Sequence, residues 1–176
     1  MKILAIDPGT NKSAYVLFDS EIGLPLDFDW IDNCDILRRI ASLTDMRSTS
    51  HEQADAMIIE DIESFGMAVG DSVFQTCKWM GQFELRWKMC LQDYHYLKRS
   101  EIKLALCNNK RAKDANIRQA LINIYGGSRQ LAVGTKKDKG PLYGIKSHIW
   151  SALAVAVAGC EIYYKCELGA AVCESG

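Results

Sequence analysis

Two carboxylates stand where apolar runs stop. The run Lys2-Ile3-Leu4-Ala5-Ile6 reaches Asp7 and then turns at Pro8-Gly9-Thr10. A β-branched, apolar run bounded by Pro-Gly predicts a buried strand with a tight turn at its end. The run Met57-Ile58-Ile59 reaches Glu60 and Asp61 in the same way. A strand end is rigid enough to hold a carboxylate against a ligand. Taken alone, Asp7 reads as the cap of a Pro-Gly turn. Two such strands together point to a metal site, because hard divalent cations take oxygen ligands and keep several waters. Glu60 and Asp61 alternate to opposite faces of their strand, so only one of them can face Asp7.

The elements that position these acids are legible from hydrophobic period. Ser13–Asp19 predicts a second strand, joined to the first by a short turn and therefore antiparallel to it. Leu26–Ile31 alternates apolar and acidic residues, as a strand exposed on one side does. Cys34–Leu43 has helical spacing through Ile36, Leu37, Ile40 and Leu43. Ala56–Ile62 is the fourth strand, followed by a glycine-punctuated loop at Ser64–Gly70. Asp71 and Ser72 offer an N-cap for a helix reaching about Leu91. Tyr94–Lys98 is a fifth strand and Ser100–Leu106 a short helix. Asp114 caps a helix over Ala115–Tyr125, closed by Gly126-Gly127. Residues 128–146, rich in Gly and Lys, predict a mobile loop before a small-residue helix over Ser147–Tyr164. The expected fold class is α/β, a mixed five-stranded sheet flanked by helices, in one domain over 1–176.

Composition narrows the class. The 176 residues are 48% hydrophobic and 24% charged, ordinary for a soluble globular domain. No apolar run approaches the ~20 residues needed to span a bilayer, and a secretory signal is absent from the pattern. The seven cysteines form no Cys-x-x-Cys pair and read as reduced thiols of a cytoplasmic protein. The net charge of −1 conceals two opposed segments. Residues 1–63 carry five Lys/Arg against thirteen Asp/Glu, while residues 98–139 carry eleven against three. An acidic segment able to gather cations thus shares the chain with a basic one able to gather phosphates. Such runs are also the ordinary composition of solvated faces.

The ordered set of Ile6-Asp7-Pro8-Gly9-Thr10, Ile58-Ile59-Glu60, Ser64-Phe65-Gly66-Met67, Ala112–Leu121, Gly140–Gly144 and Trp150–Ala156 resembles the RuvC-type Holliday junction resolvases, most of all their bacteriophage branch. The resemblance runs over nearly the whole chain. It implies the ribonuclease H-like fold and a single RuvC-like nuclease domain. It also implies a homodimeric, metal-dependent endonuclease that cuts four-way DNA junctions, with Y-forks and flaps as further branched substrates. Two Mg²⁺ ions (or Mn²⁺) per active site would perform in-line phosphodiester hydrolysis. A phage-encoded member would act in the bacterial host cytoplasm, with no membrane partner. By this resemblance Asp7 is the ligand shared between the ions, and Glu60 rather than Asp61 binds one of them.

The chain departs from the family at the last helix, where one or two aspartates are usual. His148 and Ser151 stand at those places, three residues apart and so on one helix face. A neutral imidazole can ligate a metal or accept a proton, and a serine hydroxyl can hold a metal-bound water. His148 is therefore a third catalytic and metal-site candidate, and Ser151 a fourth ligand candidate. Lys103, Lys110, Arg111, Lys113 and Arg118, with Lys136 and Lys137 (and Lys139) on the Gly-rich loop, are candidate phosphate contacts. Phe65 either stacks on an unpaired base at the crossover or, with Met67, fills the core. Two other classes compete. An actin- or sugar-kinase-type phosphotransferase also begins with Asp-x-Gly-Thr but needs a second domain to close over ATP. A catalytically weak junction-binding protein of the same fold is suggested by the carboxylate missing from the last helix.

Overall fold

The protein is described by a computed structural model, which covers residues 1–45, 53–63, 66, 69–90 and 92–165. Five strands, β1 (Lys2–Asp7), β2 (Lys12–Asp19), β3 (Leu24–Asp32), β4 (Ala56–Asp61) and β5 (Asp93–Lys98), form one sheet in the order β3-β2-β1-β4-β5. The first three strands pair antiparallel, whereas β1–β4 and β4–β5 are parallel. Among the described residues the helices are α1 (Asn33–Leu43), α2 (Asp71–Lys88), α3 (Arg99–Cys107), α4 (Asp114–Ile124), α5 (Arg129–Ala132) and α6 (Ile149–Tyr164). This is the mixed, helix-flanked sheet of the ribonuclease H-like fold.

Strand alternation divides the core into two layers. Ile3, Ala5 and Ile58 face α6 and pack with Leu153, Ala154 and Val157. Leu4, Ile6, Met57 and Ile59 face the other way, against Ile36, Ile40, Phe83 and Trp87 of α1 and α2. Helix α6 is buried along nine successive residues from Ala152 to Cys160, and its small side chains let it lie close on the sheet. At Gly159 an added Cβ would stand 2.3 Å from Ile58 Cδ1, which measures how close that approach is. Asp7 and Glu60 continue the face of Ala5 and Ile58, the face that α6 covers.

The turn after Asp7 is held by a buried polar lock. Ser13 and Asn33 are each 1% exposed. The Gly9 amide donates to Ser13 Oγ at 3.1 Å, Ser13 Oγ–H donates to Asn33 Oδ1 at 2.6 Å, and Asn33 Nδ2 donates to the Gly9 carbonyl at 2.9 Å. A Cβ at Gly9 would lie 2.2 Å from the Lys12 carbonyl oxygen, so no larger residue fits the turn. Asn33, the first residue of α1, thus ties the mouth of β1 to the end of β3 that it directly follows.

Several local expectations are corrected. Strand β3 extends further in both directions than the alternating segment, because its pairing with β2 continues from Lys12↔Asp32 to Asp19↔Leu24. Helix α2 is capped by Gly70, with no side-chain cap, and ends at Lys88 rather than near Leu91. Lys113, not Asp114, is the N-cap of α4, because the Asp114 carboxylate is drawn away to Arg99. Residues 128–146 are not a featureless loop. They contain α5 and a Gly134↔Lys139 bridge, and they bury Leu142 and Ile145. Cys34, Cys77, Cys90 and Cys107 are free thiols. Cys160 is disulfide-bonded, contrary to the expectation of seven reduced thiols; bridging depends on which sulfurs folding brings together, which spacing does not report. Among the described residues, no helix is long and apolar enough to cross a membrane.

Replacing Asn33 with Ala should lower unfolding stability by about 1–3 kcal/mol, because it strands the buried Ser13 hydroxyl and the Gly9 carbonyl. Urea denaturation monitored by circular dichroism measures this. A loss below a few tenths of a kcal/mol would show that the lock is replaced by solvent.

Candidate active site

Register places the two acids side by side. Strands β1 and β4 run parallel with Ala5 opposite Ile58 and Ile6 opposite Ile59, so the next step sets Asp7 beside Glu60. Both side chains are largely covered, at 19% and 15% exposure. Asp61 takes the other face of β4, where its charge acts on the Tyr96 phenol. Of the two adjacent acids, Glu60 is therefore the one in electrostatic contact with Asp7.

The pair carries the signature of buried like charges. Burial pushes the Asp7 carboxyl from its ordinary 3.8 up to about 6, opposed by the charges of His148 and Arg99. Burial pushes Glu60 from 4.5 up to about 7, opposed by Arg99 and reinforced by Asp7 and Asp114. Near neutral pH the pocket thus lacks positive charge.

Arg99 supplies part of it, and sequence reasoning did not single it out. Position 99 follows Leu97 with the same parity out of β5, and so turns back onto the face of Glu60. Its Nη1 lies 3.2 Å from Glu60 Oε2 and its Nη2 2.8 Å from Asp114 Oδ1. The hydrogen bond from Arg99 holds the Asp114 carboxyl below its usual range. The signal that could have found it was the Lys98-Arg99 pair at the end of a strand neighbouring an acidic one. The bulk count of basic residues hid that role.

His148 enters from the start of α6 as its N-cap residue, just after Ser147 in the left-handed region at φ 47°. Its Nδ1 is 3.6 Å from Asp7 Oδ2, an electrostatic contact longer than a normal hydrogen bond, and its side chain is 58% exposed. The imidazole lies 5.1 Å from the Trp30 ring on β3. It separates two clefts. One, of about 550 Å³, is lined by Asp7, the Pro8–Lys12 turn, Trp30 and His148. The other, of about 400 Å³, is lined by Arg99, Asp114, Arg118, Trp150, His148 and Ser151. Ser151 thus reaches the second cleft but not the first.

The remaining candidates divide. Arg118 is brought to the second cleft, with its guanidinium 4.6 Å from the Trp150 ring. Lys103 is half-buried on α3 and its charge reaches Asp114. Lys110, Arg111 and Lys113 are exposed around the α3–α4 turn, where Arg111 and Lys113 line a small hollow with Asn109 and Asn116. Lys136, Lys137 and Lys139 are exposed at the Gly134–Lys139 turn and line neither cleft. Phe65, with Ser64 and Met67, lies outside the described residues.

The donor set suits a hard divalent cation in kind. Two adjacent, desolvated carboxylates share a deficit of positive charge, and such ions need few protein oxygens because they retain waters. Among the described residues, no group of three or more His, Cys, Asp and Glu side chains is gathered closely enough to hold a metal by itself. The fit is therefore to an ion held by Asp7 and Glu60.

No protein-family model and no curated relative matches the chain in sequence. Solved structures do match. Thermus thermophilus RuvC has a TM-score of 0.61 at 14% identity, covering 90% of this chain and 92% of that one. T. thermophilus RuvC in complex with Holliday junction substrate has a TM-score of 0.63 at 16% identity, with the same coverage. At such identity the likeness establishes the shared ribonuclease H-like fold.

The raised carboxyls fix the sign of a pH effect. Each binds a proton more tightly folded than unfolded, so metal-free stability is fullest below about pH 4 and is lost as pH rises through about 6 to 7. Asp7→Asn and Glu60→Gln should each be more stable than the parent at pH 8 in EDTA, by about 1–3 kcal/mol. The advantage should shrink toward pH 4. Thermal melts across that range check it, and a pH-independent difference would contradict the assigned repulsion.

Proposed function

We propose that this protein is a divalent-metal-dependent endonuclease that cleaves four-way DNA junctions and related branched DNA. The observation that carries the reading is the Asp7–Glu60 pair, desolvated on adjacent parallel strands beneath the start of α6. It is supported by the fold shared with RuvC, one structure of which holds a Holliday junction substrate.

In this reading Asp7 and Glu60 hold Mg²⁺ or Mn²⁺ through carboxylate oxygens. Such an ion, when bound, supplies Lewis-acid polarisation of the phosphodiester and stabilises charge on the leaving oxygen. His148, exposed beside Asp7, is placed to accept a proton from the attacking water. Ser151 orients water in the neighbouring cleft, where a second ion would draw on His148 and Ser151. Arg99 neutralises Glu60 until a cation takes over that charge. Lys103, Lys110, Arg111, Lys113, Arg118, Lys136 and Lys137 neutralise backbone phosphates and supply affinity without sequence choice.

The homodimer belongs to the same proposal. Phe74 and Leu85 of α2 and Met89, its C-cap, are 57%, 65% and 70% exposed. A second copy of this face would cover them, and two active sites would then meet the two symmetric strands of a junction. If phage-encoded, such an enzyme would act in the cytoplasm of the bacterial host.

A junction-binding protein without cleavage is the second reading. It is favoured by Arg99 occupying Glu60 and by the absence of a third gathered metal ligand among the described residues. Purified protein with a labelled four-way junction and Mg²⁺ decides between them. The enzyme reading expects paired nicks at the crossover, and Asp7→Asn should cut at least about 10³-fold more slowly while binding the junction normally. Cleavage by Asp7→Asn at the parental rate would remove the catalytic assignment.

Binding has its own test. Replacing Lys110, Arg111 and Lys113 together with Ala should weaken affinity alike for all sequences. It should also reduce the slope of log K against log salt by about 2–3. An unchanged slope would place the DNA elsewhere.

A further inference from the structure

The larger cleft contains an aromatic surface that the catalytic reading does not use. Trp30 is 42% exposed although it stands in a concave wall, facing the same space as Asp7 and His148. Other exposed apolar side chains, such as Ile22 and Leu26, line neither of the two clefts beside His148. The Lys12 ammonium stands 5.5 Å from the Trp30 ring centroid, and the His148 ring packs 5.1 Å away at a 36° tilt. An indole, an ammonium and an imidazole thus converge beside the acid pair.

Alternation along β3 fixes what this surface can take. Trp30 shares its strand face with Phe28, which packs beneath Gly144. Asp27 points to the other face, where it accepts from Tyr15 and pairs with Arg39. Asp29 and Asp32 keep the strand acidic. An acidic strand does not track a phosphate backbone, so the attraction here comes from the π-face and one lysine. A paired base inside a duplex has both faces covered by its neighbours. Only an unstacked base offers a free face. A cleft of about 550 Å³ is in the range that holds a nucleotide-sized ligand.

We propose that Trp30 and Lys12 form a nucleotide subsite, in which the indole stacks an unpaired DNA base next to the scissile phosphate and Lys12 takes the adjoining phosphate. This rests on the branched-DNA reading and adds a contact that selects branch points over duplex. It also gives the cleft beside Asp7 a polarity, because the base sits on the β3 side and the phosphate moves toward the acid pair.

The test uses the full chain in EDTA, with a four-way junction carrying 2-aminopurine at the crossover and a matched duplex as control. Trp30→Leu keeps an apolar side chain without the indole, and Trp30→Phe keeps an aromatic face. Trp30→Leu should weaken junction binding about tenfold or more while changing duplex binding less than twofold. Trp30→Phe should stay within about threefold of the parent. The 2-aminopurine quench should survive in Trp30→Phe and be lost in Trp30→Leu. Lys12→Ala should lower the salt slope by about one. Junction affinity and quench unchanged in Trp30→Leu, or equal losses on junction and duplex, would overturn the subsite and leave the nuclease reading standing. A parent protein that shows no preference for the junction would overturn both. Circular dichroism of each variant separates these outcomes from misfolding.

Discussion

The site is organised around the repulsion between two carboxylates that share one desolvated place. Asp7 and Glu60 end adjacent parallel strands on the face beneath α6, and each is pushed well above the ordinary carboxyl range by burial. A fold selected only for stability would put apolar side chains at both positions. The chain instead keeps the pair and partly offsets it with Arg99, itself divided between Glu60 and Asp114. A buried charge is tolerable when it is paired and hydrogen-bonded. Here Glu60 has such a partner at 3.2 Å, whereas Asp7 has the longer 3.6 Å contact to His148 and the more distant charge of Arg99.

Everything close to the pair limits its freedom to relax. The Ser13–Asn33–Gly9 lock fixes the turn that follows Asp7, and the absence of a Cβ at Gly9 lets Lys12 close over it. Glu60 belongs to a strand bonded on both sides, to β1 and to β5. From above, α6 can lie close because its residues are small, which brings its N-terminal His148 to the acid pair. A divalent cation would enter a place already shaped and already short of positive charge. Arg99 serves as the internal counter-ion of Glu60.

The charge asymmetry of the chain becomes spatial in the fold. The acidic N-terminal segment supplies the acid-bearing end of β1, while the α3–α4 turn and Arg118 of α4 carry exposed basic side chains. One cleft brings Arg118 and Arg99 toward His148, and the other brings Lys12 and Trp30. A phosphate chain crossing His148 would meet cationic groups on both sides and the carboxylate pair at the centre. In the proposed reading, cationic rims of this kind would attract a nucleic acid and leave the negative centre to a metal ion.

The strands, the helices other than α5 and the two acids at strand ends were legible in the sequence, because period and turn chemistry are local. Alternation alone placed Glu60 and Asp61 on opposite faces. Which of the two meets Asp7 was decided by the parallel register of β1 with β4, a long-range pairing. Asp114 read as a helix cap, but Arg99 draws its carboxylate into the site, since an ion pair across fifteen residues outweighs a local capping preference. The Gly- and Lys-rich stretch before α6 read as a loop. Burial of Leu142 and Ile145 gives it structure that composition does not reveal. The convergence of Trp30, Lys12 and His148 joins β3, β2 and α6, and no spacing along the chain encodes it. Local chemistry wrote the acids into the sequence; only tertiary packing decided which neighbours neutralise them and which side chains share their clefts.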